Sequence, residues 1–150
     1  MQISNRKNAT RYKRIFFLTS LLLALVILGL FLLDFTMAGI AGLGVFSLWY
    51  LYFHVADYQF IEFSDEGGQV LLRYFKAVSF LSKSYHSIEF PQNILQNAHF
   101  EDSVFGKLSD VTLIIRTKRG IAEYPSVSLS AVPLEDRKRM KECLYNMLRK

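Results

Sequence analysis

The first third of the chain carries two unbroken apolar blocks. Residues 15–33 are 19 positions without a charge, residues 35–53 are another 19, and only Asp34 separates them. At about 1.5 Å of rise per residue, each block is roughly 28 Å long as a helix, close to the roughly 30 Å hydrocarbon thickness of a bilayer. A helix satisfies its own backbone hydrogen bonds, which lipid cannot do for it. Asp34 is costly at mid-bilayer and falls where a tight turn reaches headgroups and water. The pattern predicts a transmembrane hairpin with spans of about 15–33 and 35–53.

Beyond residue 56 the period shortens to two. Residues 57–64 read as an extended aromatic segment, Asp65-Glu66-Gly67-Gly68 as a turn, and residues 69–77 as a returning strand with Val70, Leu72 and Tyr74 on one face. Residues 79–85 form a connection, partly extended. Ile88 and Phe90 alternate with polar neighbours until Pro91, a further short strand covers 94–100, and 102–106 is a bend. Val111, Leu113 and Ile115 share a face of a strand that turns at Lys118-Arg119-Gly120 and returns over 121–124. Residues 126–131 alternate serine with Val127, Leu129 and Ala131, as a strand with one wet face would. After Pro133 the spacing becomes helical: Met140, Cys143, Leu144 and Met147 form one stripe, with Arg137, Lys138, Lys141 and Glu142 facing out. The expected fold is a membrane α-hairpin followed by an α+β domain over residues 57–150, with six or seven antiparallel strands and one C-terminal amphipathic helix.

Charge sets the expected orientation. Of 18 Lys and Arg, five (Arg6, Lys7, Arg11, Lys13, Arg14) precede the first block, no acid occurs before Asp34, and the net charge is +5. Residues 1–14 therefore read as a basic cytoplasmic tail, and the positive-inside bias places both termini in the cytoplasm of a cell membrane. Tyr12, Trp49, Tyr50 and Tyr52 suit the aromatic belt. A cleaved signal peptide also starts basic and turns apolar, but here the apolar run is long and a second span follows. The remaining 13 cations face 12 acids. The basic balance thus reports topology, and no nucleic-acid partner is expected.

The second block is rich in small residues, among them Ala38, Gly39, Ala41, Gly42 and Gly44. Ala38 and Gly42 are four apart and are candidates for close helix packing against the first span around Gly29.

Candidate chemistry is sparse. His54, His86 and His99 lack a partner at i+3 or i+4 that would build a metal face, and no G-x-S-x-G, Walker-type or G-x-G-x-x-G motif occurs. Cys143, the single cysteine, lies on the apolar helix stripe and reads as core. No catalytic residue, metal or cofactor is expected, and the chain reads as not an enzyme. Arg11, Lys13 and Arg14 before the first span, and Arg137, Lys138, Arg139 and Lys141 on the last helix, are candidates for anionic headgroups.

Two spans, short strands in hairpins and a closing helix, with Ile88-Glu89-Phe90-Pro91-Gln92-Asn93-Ile94, Ser103-Val104-Phe105-Gly106-Lys107, Asp110-Val111-Thr112-Leu113-Ile114-Ile115 and the Lys118-Arg119-Gly120 turn, resemble the bacterial pleckstrin-homology-like (PH-like) membrane proteins. The resemblance covers roughly residues 57–148 and is one of layout and apolar spacing. It implies a strongly bent antiparallel sheet, near a barrel, with the helix plugging one open end. Two departures limit it. The first hairpin turn is acidic where phosphoinositide-binding members cluster cations, with only Arg73 and Lys76 nearby. The chain's one Trp is Trp49, in the second block, rather than in the closing helix. Inositol-lipid binding is therefore not carried over. The expected function is a non-enzymatic, membrane-anchored interaction or scaffold module that uses an unidentified protein partner or self-association as a homo-oligomer. The alternative is an accessory subunit of a larger membrane enzyme or transporter.

Overall fold

The computed structural model describes residues 1–79 and 84–150; most of the expected connection over 79–85 lies outside them. Two long helices precede the sheets: α1 (Arg6–Leu32) and α2 (Thr36–Ala56). Asp34 takes the left-handed conformation at φ 60° in the turn between them. Only 11% of the most apolar stretch of either helix is buried. Leu18, Leu22, Leu25, Leu48 and Val55 instead point outward. Helices inside a soluble core would be mostly covered, so both are long and apolar enough to cross a membrane and keep the surface that lipid requires.

Glycine sets the approach of the two helices. A Cβ on Gly39 would come within 2.8 Å of Cζ of Phe31, and one on Gly42 within 2.9 Å of Cγ1 of Ile27. Gly42 thus lies against Ile27 of α1. The other two candidates do not: Ala38 is exposed, and a Cβ on Gly29 would meet nothing within 4 Å. The reason is rotational phase. Phe31 and Ile27 are the knobs of α1, and they meet the Gly39–Gly42 face of α2, one residue round from Ala38.

The sheets are antiparallel throughout. The first has the order β1 (Gln2–Ser4), β2 (Gln59–Ser64), β3 (Gln69–Lys76), β4 (His86–Pro91). The second contains β5 (Leu95–Ser103), β6 (Leu108–Thr117) and β7 (Gly120–Glu123), with β8 (Val127–Ser128) also on β6. A C-terminal helix, α3 (Leu134–Leu148), lies across β5. Inward positions of the strands build one core that includes Ile61, Phe63, Val70, Leu72, Ile88, Phe90, Val111 and Leu113, with Leu129 after β8, closed by Met140 and Leu144 of α3. The expected faces of β3, β4, β6 and α3 are the ones buried.

Three features depart from the sequence reading. Eight strands are present among the described residues, in two four-stranded sheets rather than one bent sheet. The extra strand is β1, so residues 1–14 are not a free tail: Ile3 is buried opposite Phe63, and the basic run forms the first turns of α1. Finally, the serine face of the 126–131 segment is exposed only at Ser126. Ser128 and Ser130 are as buried as Val127 and Leu129, and β8 is only two residues long. An alternating pattern reports that two faces differ, not that the polar one meets water. Here the serine face is covered by the base of the helix pair.

Candidate functional site

The chain has almost no linker between helices and sheets. Asn5 alone separates β1 from α1, and Asp57 and Tyr58 separate α2 from β2. Asp57 makes the turn in the left-handed conformation, with φ 44°. Asn5 is 3% exposed, and its amide behaves as one more strand residue: Nδ2 donates to Gln59 O at 2.8 Å and Oδ1 accepts from Ile61 N at 2.7 Å. An asparagine before a helix ordinarily caps it, but this side chain makes no cap bond and is spent on β2.

Around this clasp a second core forms from Ala9, Phe16, Phe53, Ala56, Tyr58, Ala77 and Ala131, with Tyr12, Trp49 and Leu108 packed against it. Tyr12 stacks on Tyr58 with ring centroids 4.0 Å apart, Phe53 lies 5.0 Å from Phe16 and 5.5 Å from Tyr58, and the Tyr58 and Tyr52 hydroxyls are 3.0 Å apart. Burial, followed by that hydroxyl contact, raises the Tyr58 pKa above its ordinary value. The serines seal the other side. Ser128 Oγ lies 3.4 Å from Ala56 O and 3.0 Å from Ser130 Oγ, which accepts from Ser109 N at 3.3 Å.

Arg137 completes the junction. From the first turns of α3 its guanidinium donates to Val132 O and Ser130 O, both at 2.8 Å, to Gly106 O at 3.1 Å and to Lys107 O at 3.4 Å. This corrects its assignment to the outer helix face: four carbonyls at the end of the sheet form a cage that the planar fork fits. Burial pulls its pKa down, opposed by the field of Asp102. Lys141 also has local partners, with Nζ 5.5 Å from the Phe100 ring centroid and 5.9 Å from that of Tyr145. Arg139 reaches Asp136 at 4.0 Å, and Lys138 is exposed.

The cations of α1 are placed differently. Lys7, Arg11, Arg14 and Leu18 follow one face at helical spacing and, with Ile15, line an open groove of about 950 Å³ whose other wall includes Ser4 and Pro133. Among the described residues none of Arg6, Lys7, Arg11, Lys13 and Arg14 is in an ion pair. Lys13 lies on another face, beside Phe60, Phe75 and Tyr85, and Arg6 borders both. The groove is cationic at the start of α1 and apolar where the helix leaves the domain.

At the opposite end of the domain, Asp65 accepts from the Met1 ammonium through Oδ1 and from the Cys143 thiol through Oδ2 at 3.0 Å. The thiol and the ammonium hold the carboxyl below its usual range, while burial, helped by Asp65, pushes the Cys143 thiol up to about 12. That shift favours the protonated, donating form of the Cys143 thiol over the thiolate. The histidines are exposed: His54 stacks on Tyr50, His86 on Tyr74, and His99 pairs with Glu101 at 3.2 Å. No cluster of metal-ligating side chains occurs among the described residues.

Fold and junction together define a class: an apolar two-helix hairpin fused without a linker to an antiparallel-sheet domain. No family model, curated protein or solved structure matches the chain.

Proposed function

We propose that this protein is a non-enzymatic, membrane-anchored interaction module. α1 and α2 cross the cell membrane, both termini are cytoplasmic, and a PH-like domain is seated on the inner leaflet. The observation that carries the reading is the second core, which makes the helix pair and the sheets one packed unit. A domain tethered only for local concentration needs a loose linker. A shared aromatic core instead fixes the orientation in which the domain meets its partner. The basic side of the junction supports the cytoplasmic orientation by the positive-inside bias. The α1 groove suits anionic lipid, with phosphate at Arg11 and Arg14 and an acyl chain along Ile15 and Leu18; cations near such a surface contribute about 1 kcal/mol each. Partner contact is assigned to a sheet edge unpaired among the described residues, β4 or β7, by strand addition.

The test is topology and cross-linking in native membranes. The protein should resist alkaline carbonate extraction, and its sheet domain should be digested only after sealed cells are opened. Cross-linking should then capture a reproducible heterologous protein. Release by carbonate, or digestion from outside, overturns the reading. One observation favours self-association of the module, or the alternative of an accessory subunit: Ala38, Ala41 and Gly44 are exposed on α2, off the face that meets α1, and leave a smooth surface for another helix. Co-purification at fixed stoichiometry with a membrane enzyme or transporter would favour that alternative.

A further inference from the structure

The turn between β5 and β6 is built against local physical preference. Val104 and Phe105 have φ of 53° and 56°, and Gly106 follows at 79°. Left-handed backbone is costly for a β-branched residue, and Gly, Asn or Asp would fill such a turn at less strain. The side chains gain no packing in return, since Phe105 is fully exposed and Val104 is 56% exposed. Strain of this kind persists where the surroundings hold it, and it concentrates at functional positions. Here the holder is Arg137, whose guanidinium binds the carbonyls of Gly106 and Lys107.

Position supplies the ligand. β6 runs away from the helix pair: Leu108, its first residue, packs against the junction core, and Asp110 pairs with Ser128, which touches Ala56 at the end of α2. The turn therefore projects beyond Leu108 on the side where the apolar lengths of α1 and α2 emerge. Phe105 is three residues from Leu108, at most about 11 Å of chain. Leu134, 61% exposed, begins α3 at the same end.

We propose that Val104 and Phe105 form a third membrane contact, an apolar tip that dips into the interfacial layer of the bilayer that α1 and α2 cross. The inference rests on the proposed membrane reading of the helices. Phe105 supplies an aromatic ring suited to the headgroup–acyl boundary, Val104 adds apolar area, and Lys107 lies beside them for anionic headgroups. Three points define a plane. The packed junction fixes the domain's orientation on the helices, and the tip holds the tilt of that whole unit against the bilayer.

The experiment uses the full chain with Cys143→Ser, reconstituted in vesicles of phosphatidylcholine and phosphatidylglycerol. An environment-sensitive fluorophore is attached at Phe105→Cys, at Ile121→Cys on the far turn, or at Leu25→Cys within α1. All three positions are exposed, so labelling leaves the fold intact. Lipids spin-labelled near the headgroup should quench the Phe105→Cys probe several-fold more than the Ile121→Cys probe and shift its emission to the blue. Deep spin labels should quench the Leu25→Cys probe. Equal, weak quenching at 105 and 121 with strong quenching at 25 overturns the tip alone and leaves the turn free for a protein partner. Weak quenching at 25 overturns the membrane reading and the tip with it.

Discussion

Asn5 and Ile61 exchange two hydrogen bonds, Asn5 N to Ile61 O at 3.2 Å and Ile61 N to Asn5 Oδ1 at 2.7 Å, so one side-chain amide extends a strand pairing by a residue just as the chain turns into α1. Replacing it with Ala leaves Ile61 N and Gln59 O buried without partners. Asn5→Ala should lower stability by about 2 kcal/mol, read as a fall in the thermal midpoint of the detergent-solubilised protein. Asn5→Asp restores the acceptor but not the donor and should recover only part of the loss.

Arg137 makes a second prediction. Arg137→Lys keeps the charge but cannot span four carbonyls with one ammonium. It should cost about 1–3 kcal/mol, and hydrogen exchange at residues 106–108 should quicken while exchange in β2 and β3 stays unchanged.

Helix approach is tested by a contrast within α2. Gly42→Val places branched carbon against Ile27 and should destabilise the helix pair by about 1–3 kcal/mol. Gly44→Val meets nothing within 4 Å and should leave the thermal midpoint nearly unaltered. Equal effects would mean that the helices pack in another phase.

The Asp65 cluster gives a pH dependence. Its carboxyl is held below the ordinary value, so as pH falls the unfolded chain takes up the proton first. The stabilisation is therefore complete above the ordinary carboxylate value of about 4 and fades as pH drops through the lowered folded one. The midpoint difference between the native protein and Asp65→Asn should be largest near neutrality and close towards strongly acidic pH. Because the Cys143 thiol is pushed up to about 12, alkylation at pH 8 should run at least about tenfold slower than for a free thiol.

Much of the fold was legible because apolar spacing reports burial directly. Val70 and Leu72, Val111 and Leu113, Met140 and Leu144 all point where their period places them. The junction was not. β1 is three residues long and lies beside a basic run whose charge reads as a tail. Ser128 and Ser130 look solvated because a serine hydroxyl satisfied by Ala56 O is indistinguishable in sequence from one satisfied by water. Arg137 sits among other cations, and only the folded chain places carbonyls of 106, 107, 130 and 132 around it. Local pattern identifies the inside of an element; it does not say which distant element will cover the other side.

The short N-terminal strand has a consequence for biogenesis. Gln2–Ser4 precedes both apolar helices along the chain, whereas its partner Glu62–Ser64 follows them. If just one helix were threaded through the bilayer, the two strands would be stranded in different compartments and could never meet. On the proposed membrane reading, that edge closes only when both helices are inserted, and a chain with one helix across keeps an open flank on its first sheet.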